Sequence, residues 1–195
     1  MIAIINYGVG NLRSVFNAIT KVGGRAKVTS EPKEIKNASA IIFPGVGAFK
    51  PAIEKIRSSK YEFPEVPKLG ICLGMQLFAT RSFENGVHEG LKYIPGEVVR
   101  LPSSVGKIPH MGWNELRIRR DCEILDGIED GSMFYFVHSY YVKTDEKFVA
   151  AETEYGISFA SAIAFNDCFG LQFHPEKSGD IGLEILKNFV RIAKR

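Results

Sequence analysis

The stretch Lys68-Leu69-Gly70-Ile71-Cys72-Leu73-Gly74-Met75-Gln76 joins a short apolar run to a segment with helical spacing. Residues 68–71 indicate a buried strand and residues 75–83 a helix, so Cys72 falls at their junction. The surrounding letters match the G-x-nucleophile-x-G pattern, whose glycines permit a tight turn that exposes the central side chain. A helix N-terminus after the turn favours the thiolate, and the N–H of Leu73 faces the place where an oxyanion would form.

Cys72 also has a plainer interpretation, as a small buried apolar residue within a strand. The five-residue pattern alone does not separate the two, but the position between a strand and a helix favours a nucleophile. Cys122 lies in a polar stretch and Cys168 in a β-rich one, so we expect both to be structural. The three cysteines are widely separated and have no C-x-x-C spacing, which argues against a zinc or redox motif.

The segments on either side of this stretch alternate in the first half of the chain between apolar runs and helical patterns, which is typical of βαβ units. We expect strands at 1–5, 26–29 and 40–43, helices at 12–19 and 48–57, and a turn opened by Glu31-Pro32. Later β-rich segments at 97–101, 133–137, 148–152, 158–165 and 168–173 indicate antiparallel or mixed pairing, and a last helix covers 181–192. The prediction is one α/β domain over 1–195, with a mainly parallel central sheet flanked by helices.

Composition limits the class of protein. Hydrophobic residues make up 45% and charged residues 24%, and a net charge of +3 comes from 25 basic and 22 acidic residues without a run of five like charges. This balance is typical of a globular protein and argues against nucleic acid as a partner. No stretch approaches the length of a membrane helix, and residues 1–6 lack a basic leader, so we expect no membrane contact and a cytoplasmic location. We expect no metal and no cofactor.

A cysteine nucleophile needs a base and a group that orients the base. His88 lies in a predicted surface loop, and His110 and His138 lie in β-rich segments with no acid nearby. His174 stands in Gln172-Phe173-His174-Pro175-Glu176, where proline fixes the backbone between an imidazole and a carboxylate. The string predicts His174 as the base and Glu176 as its orienting partner, although a plain turn histidine also fits it.

The loop Pro44-Gly45-Val46-Gly47 follows a predicted parallel strand, where α/β sheets place ligand-binding loops. Glycines there let backbone N–H groups approach a reacting carbonyl, so Val46 or Gly47 is a candidate second oxyanion donor. Alone, the loop is equally consistent with an ordinary strand-ending turn.

Taken together, the elbow around Cys72, the glycine loop and the His-x-Glu pair resemble the class I glutamine amidotransferases over essentially the whole chain. The resemblance implies a flavodoxin-like α/β fold and hydrolysis of glutamine by a Cys-His-Glu triad, which here is Cys72, His174 and Glu176. Further strings resemble the glutaminase subunits of imidazole glycerol phosphate synthases, enzymes of histidine biosynthesis: Asn6-Tyr7-Gly8-Val9-Gly10-Asn11, Pro44-Gly45-Val46-Gly47-Ala48-Phe49, His110-Met111-Gly112-Trp113-Asn114 and Phe136-Val137-His138-Ser139-Tyr140.

That narrower resemblance implies a (β/α)-barrel cyclase partner that receives ammonia through its core. The residues it implies for glutamine binding are Gly45, Gly47, Gln76, Glu84, Ser139 and Tyr140. Those implied for the partner interface are Asn11, Trp113, Tyr135 and Lys177. Each interface residue has a plainer alternative: Asn11 as a helix cap, Trp113 and Tyr135 as core, and Lys177 as a solvated side chain.

Three other interpretations stay open. The first is a glutaminase that serves another synthase, of the anthranilate, aminodeoxychorismate or pyridoxal phosphate type, although Met75 and the loop 45–47 fit those relatives less well. The second is a catalytically silent binding subunit, and the third a stand-alone cysteine peptidase. The loop around Val46 adds a hypothesis, in which the Gly45-Val46 peptide is turned away at rest and flips when the partner binds its own ligand.

Overall fold

The computed structural model describes residues 1–8 and 10–195; Val9, in the first of the four strings, lies outside the described residues. The strands are β1 (Ile2–Ile5), β2 (Ala26–Thr29), β3 (Ala40–Phe43), β4 (Lys68–Ile71), β5 (Arg81–Ser82), β6 (His88–Glu89), β7 (Glu97–Arg100), β8 (His110–Glu115), β9 (Arg117–Ile118), β10 (Met133–His138), β11 (Tyr140–Lys143), β12 (Val149–Glu154), β13 (Ser158–Phe165) and β14 (Cys168–Leu171). The helices are α1 (Leu12–Lys21), α2 (Pro32–Lys36), α3 (Phe49–Ser58), α4 (Leu73–Leu77) and α5 (Gly179–Ile192).

The main sheet has the order β2-β1-β3-β4-β14-β13-β12-β9. Its first five strands are parallel to one another and its last three pair antiparallel, which confirms the predicted mainly parallel sheet with antiparallel additions. β1, β3 and β4 are continuous apolar runs because both faces of a parallel sheet are covered. Smaller sheets of order β10-β8 and β11-β7-β5-β6 lie beside it.

Two hydrophobic clusters cover the faces of the main sheet. Alternate residues of β1 enter different clusters, Ile2 and Ile4 one and Ala3 and Ile5 the other, as the twofold repeat of a strand requires. The first cluster includes the apolar sides of α1 and α5, and the second those of α3 and α4. Within the described part of the chain, no helix is both long and apolar enough to cross a membrane.

The parallel strands bring four loops to one place. The loops after β1, β3, β4 and β14 all leave from carboxyl ends of strands that are neighbours in the sheet, and these ends share one edge. The segments 6–11 and 44–47, Cys72 and the segment 172–176 therefore meet there, although they are far apart in sequence.

Some predicted elements were wrong in extent. The helix predicted at 75–83 is α4, which spans only Leu73–Leu77, because the chain then turns to pair β5 with β7. The N–H groups of Thr80 and Phe83 donate to the carbonyls of Gly96 and Val98, each at 2.9 Å, and a continued helix cannot make these bonds. His88 lies in the short strand β6 rather than in a loop, and the turn predicted at Glu31-Pro32 opens the short helix α2.

Candidate active site

Cys72 occupies a sharp turn between β4 and α4. Its backbone has φ 51° and ψ −102°, a conformation that L-residues adopt at a cost, and its N–H donates to the carbonyl of Leu171 at 2.7 Å. A structural cysteine inside a strand needs only extended backbone. The strained turn, held by β14, therefore favours the nucleophile interpretation.

His174 and Glu176 lie together beside Cys72. The Nδ1 atom of His174 is 2.7 Å from Oε1 of Glu176, and both side chains are fully buried. A short 3-10 turn over Pro175–Lys177 brings the carboxylate back toward the ring, while the N–H of His174 donates to the carbonyl of Tyr135 at 2.9 Å. Nε2 of His174 makes no hydrogen bond within the described residues. The ring therefore keeps one nitrogen for a proton exchanged with the sulfur or a ligand.

The charge state of His174 follows from this setting. Burial alone lowers its pKa, but the contacts with Cys72 and Glu176 outweigh burial and raise the pKa to about 9. At neutral pH the ring is therefore protonated, and it sits between the sulfur and the carboxylate as an imidazolium. A group in this state is ready to give a proton to a leaving amine.

Asn11 contacts this pair rather than its own helix. It stands at the start of α1 with φ 74° and makes no capping side-chain hydrogen bond, so the helix-cap alternative is wrong. Its amide instead donates to Oε1 of Glu176, the oxygen that also holds His174. Asn11 is half-buried, and its predicted interface role stays a prediction.

The glycine loop is turned so that a carbonyl faces the elbow. The Gly45 carbonyl accepts the Leu73 N–H at 3.4 Å, so the first predicted oxyanion donor is engaged by the protein itself. The Tyr7 hydroxyl donates to the Pro44 carbonyl, and the open face of Gly10 receives the side chain of Val46. In this conformation the oxyanion site is not assembled.

A cavity of about 320 Å³ opens beside the sulfur. Its walls include every residue predicted to bind glutamine except Gly45, which instead directs its carbonyl at Leu73. Glu84 also accepts the N–H of Phe49 at 3.0 Å, at the first residue of α3. The lining residues are Val46, Gly47, Cys72, Leu73, Gln76, Glu84, Pro109, Val137, His138, Ser139 and Tyr140.

The amide of Gln76 is partly used by the protein. Its Nε2 donates to the Tyr140 carbonyl at 3.0 Å and to Oε1 of Gln172 at 3.3 Å. Gln172 in turn places Nε2 3.5 Å from Sγ of Cys72. The sequence reasoning missed Gln172, although one signal pointed to it: in extended chain, a residue two positions before His174 shares its face.

His110 and His138 form a buried pair that continues this network. Nδ1 of His138 donates to the Tyr140 carbonyl at 2.8 Å, and its Nε2 lies 3.0 Å from Nδ1 of His110. Nε2 of His110 lies 3.2 Å from the amide of Asn114. Burial lowers the pKa of His110 to about 4 and that of His138 to about 3, so both rings are neutral and serve as fixed hydrogen-bonding groups.

An exposed apolar surface, which we call the β8–β10 surface, lies next to the site. It contains Met111, Trp113, Met133, Tyr135 and Lys177, and Trp113 is 53% exposed, so the core alternative for this residue is wrong. The rings of Trp113 and Tyr135 are 6.1 Å apart, and the Lys177 ammonium is 5.9 Å from the Tyr135 ring. The structure thus brings three of the predicted interface residues together on one face, which adjoins the turn after His174.

Comparison with known proteins shows the relationship of the whole chain. Residues 3–193 match the model of the family described as Glutamine amidotransferase class-I. The chain is 61% identical to a protein of Archaeoglobus fulgidus and 48% identical to one of Methanothermobacter thermautotrophicus, with all of each chain covered. Both relatives carry the name Imidazole glycerol phosphate synthase subunit HisH.

Solved structures agree on the fold. A structure described as a glutamine amidotransferase superposes with a TM-score of 0.78 at 17% identity, with 100% of both chains covered. A structure from Thermoplasma acidophilum, described as a putative GMP synthase protein, gives 0.73 at 18% identity, covering 99% of this chain and 93% of that one.

Proposed function

The chain belongs to the class I glutamine amidotransferases, and from this membership we propose that it is the glutaminase subunit of an imidazole glycerol phosphate synthase. It hydrolyses L-glutamine to glutamate and ammonia and passes the ammonia to a (β/α)-barrel cyclase subunit, which forms imidazole glycerol phosphate and AICAR from PRFAR. The observation that carries the activity is the convergence of Cys72, His174 and Glu176 at the wall of one cavity. The names of the full-length relatives support the choice of synthase.

The chemistry is acyl transfer through a thioester. The Cys72 sulfur attacks the side-chain amide carbon of glutamine, and the carbonyl oxygen becomes an oxyanion. His174, oriented by Glu176, carries the proton of the thiol and delivers it to the departing nitrogen as the C–N bond breaks. Water, deprotonated by the then neutral His174, attacks the thioester and releases glutamate, and the thiol is restored.

The oxyanion needs donors that the resting loop does not present. We propose that the Gly45-Val46 peptide rotates, which releases the Leu73 N–H from the Gly45 carbonyl and presents the N–H of Val46 or Gly47 beside it. The 3.4 Å bond from Leu73 to Gly45 supports this proposal, because it is long and its loss costs little. Occupancy of the cyclase subunit by its own ligand drives the rotation.

Gating has a chemical reason. Ammonia released into neutral water becomes ammonium, which is not a nucleophile, so hydrolysis is useful only when a sealed path to the acceptor exists. We propose that residues 1–195 act as one domain that docks on the cyclase subunit through the β8–β10 surface, together with Asn11. That surface adjoins the turn that holds His174, which places the docking signal beside the triad.

The decisive experiment combines the chain with the cyclase subunit and measures glutamate release and product formation from PRFAR. We expect glutamine-dependent product from the complex, and glutamate release that rises strongly when the cyclase subunit holds its ligand. Equal glutamate release by the isolated chain and the liganded complex would sink the gating proposal. A complex that hydrolyses glutamine but makes no product would overturn the choice of synthase.

The pH profile tests the role of His174. Because its pKa is raised to about 9, the ring is protonated below that pH and loses its proton above it, so kcat/KM of the complex should fall as pH rises through about 9. Glu176→Gln removes the carboxylate that favours the charged ring, so the fall should move to lower pH. Steady-state assays across pH, with NMR titration of the His174 ring, check both statements. An unmoved midpoint in Glu176→Gln refutes the assigned role of the carboxylate.

The docking surface has its own test. Trp113 is a large exposed aromatic at the centre of the β8–β10 surface, the kind of residue that dominates interfaces. We expect Trp113→Ala to weaken binding of the cyclase subunit by about 30-fold, measured by calorimetry. Phe165→Ala is the matched control, because Phe165 is 41% exposed but lies on β13, outside that surface. Equal effects from the two variants would refute the assignment.

A further inference from the structure

The side chain of Gln172 is fully buried and ends against the predicted nucleophile. Its Nε2 lies 3.5 Å from Sγ of Cys72, a hydrogen-bonding distance for sulfur. On another side of the same sulfur, the Val137 carbonyl lies 3.7 Å away, where it can accept the proton of the neutral thiol. The sulfur thus has an acceptor for its protonated form and a donor for its ionised form.

The orientation of the Gln172 amide follows from its neighbours. A backbone carbonyl only accepts hydrogen bonds, so the Gln76 atom that faces the Tyr140 carbonyl is the nitrogen. The second hydrogen of that nitrogen points to Gln172, which must therefore present its oxygen to Gln76. The remaining end of the Gln172 amide, its NH₂ group, faces the sulfur.

We propose that Gln172 is a further catalytic residue, whose amide N–H donates to the Cys72 sulfur and holds it as an oriented thiolate before glutamine is attacked. The proposal rests on the proposed glutaminase function. An amide N–H does not ionise near neutral pH, so it stabilises the anion without competing for the proton that passes from Cys72 to His174. The two groups have separate tasks: His174 holds the mobile proton, and Gln172 fixes the charge and direction of the sulfur.

A structural alternative exists, in which Gln172 only fills space and satisfies Gln76. The two accounts differ in the ionisation of the sulfur, which a space-filling residue does not change. Gln172→Met keeps the length of the side chain and removes the donor, and Gln172→Glu keeps its shape and places a carboxylate beside the sulfur. The control is Ser161→Ala, since the Ser161 carbonyl accepts the backbone N–H of Gln172 at 2.9 Å while its hydroxyl has no partner among the described residues.

The test is the rate at which iodoacetamide alkylates Cys72 in the full chain, followed across pH by mass spectrometry of the Cys72 peptide. We expect the midpoint of the profile to rise by about one pH unit or more in both Gln172 variants, as loss of a hydrogen bond to a charged group predicts, and to stay in place in Ser161→Ala. In complex with the cyclase subunit, kcat should fall about tenfold or more with little change in KM.

Midpoints that coincide with the wild type in either folded Gln172 variant overturn the proposal, whatever happens to turnover. If Gln172→Met does not fold, Gln172→Glu carries the test, since it changes one NH₂ group to an oxygen. The alkylation profile requires no glutamine, so its result stands even if the wild-type complex fails to hydrolyse glutamine. That second failure would refute the proposed function and leave the Gln172–Cys72 contact to be judged on the profile.

Discussion

Cys72→Ala should abolish glutamine hydrolysis by the complex, with a loss of at least about 10⁴-fold in kcat/KM, because no other group takes over formation of the thioester. Cys72 is nearly buried and lines the cavity, and the change removes one sulfur atom. The melting temperature should therefore stay close to that of the wild type. Glutamate release measured with the liganded cyclase subunit checks the loss.

The other two cysteines supply the control. Cys122 and Cys168 are partly buried and lie in the segments before and after the antiparallel part of the sheet, and neither lines the cavity beside Cys72. Cys122→Ala and Cys168→Ala should keep full turnover. Activity that survives in Cys72→Ala, or disappears in either control, would place the nucleophile elsewhere.

Gly74→Ala should destabilise the fold strongly, because the glycine lies against the backbone of a neighbouring strand. A Cβ at Gly74 would overlap the carbonyl oxygen of Phe43 and lie 2.7 Å from its carbonyl carbon. These are backbone atoms at the end of β3, so the clash is relieved only by moving α4 away from the sheet. We expect the free energy of unfolding to fall by at least about 3 kcal/mol, measured by urea denaturation.

Gly127→Ala separates this clash from the ordinary cost of adding a methyl group. Gly127 has φ 73°, and no heavy atom lies within 4 Å of the position that a methyl group would take, so its loss is the left-handed backbone cost alone, about 1 kcal/mol. Failure of Gly74→Ala to fold is the same expected result in its extreme form. A loss no larger than that of Gly127→Ala would mean that the close approach of α4 to β3 is not required.

The sequence by itself determined the fold class and brought forward the triad. Apolar runs separated by helical patterns are properties of short segments, and they predicted β1, β2, β3 and β4 at the positions observed. Cys72 and His174 were identified in the same way, because a strand-to-helix turn and a proline between two functional groups are local features. Local patterns failed where a long-range contact decided the outcome, as at α4, which ends early so that β5 can pair with β7.

Only the tertiary structure decided what surrounds the sulfur. The approach of Gln172 to Cys72, the carbonyl of Gly45 on Leu73 and the amide of Asn11 on Glu176 all join segments far apart in the chain. Side-chain direction and peptide orientation at such points depend on neighbouring strands of the sheet, and a peptide plane can rotate without any change in the letters of the sequence. The chain order therefore predicted which residues carry the chemistry, while packing at the carboxyl edge of the sheet decided which atoms face one another and that the oxyanion loop rests turned away.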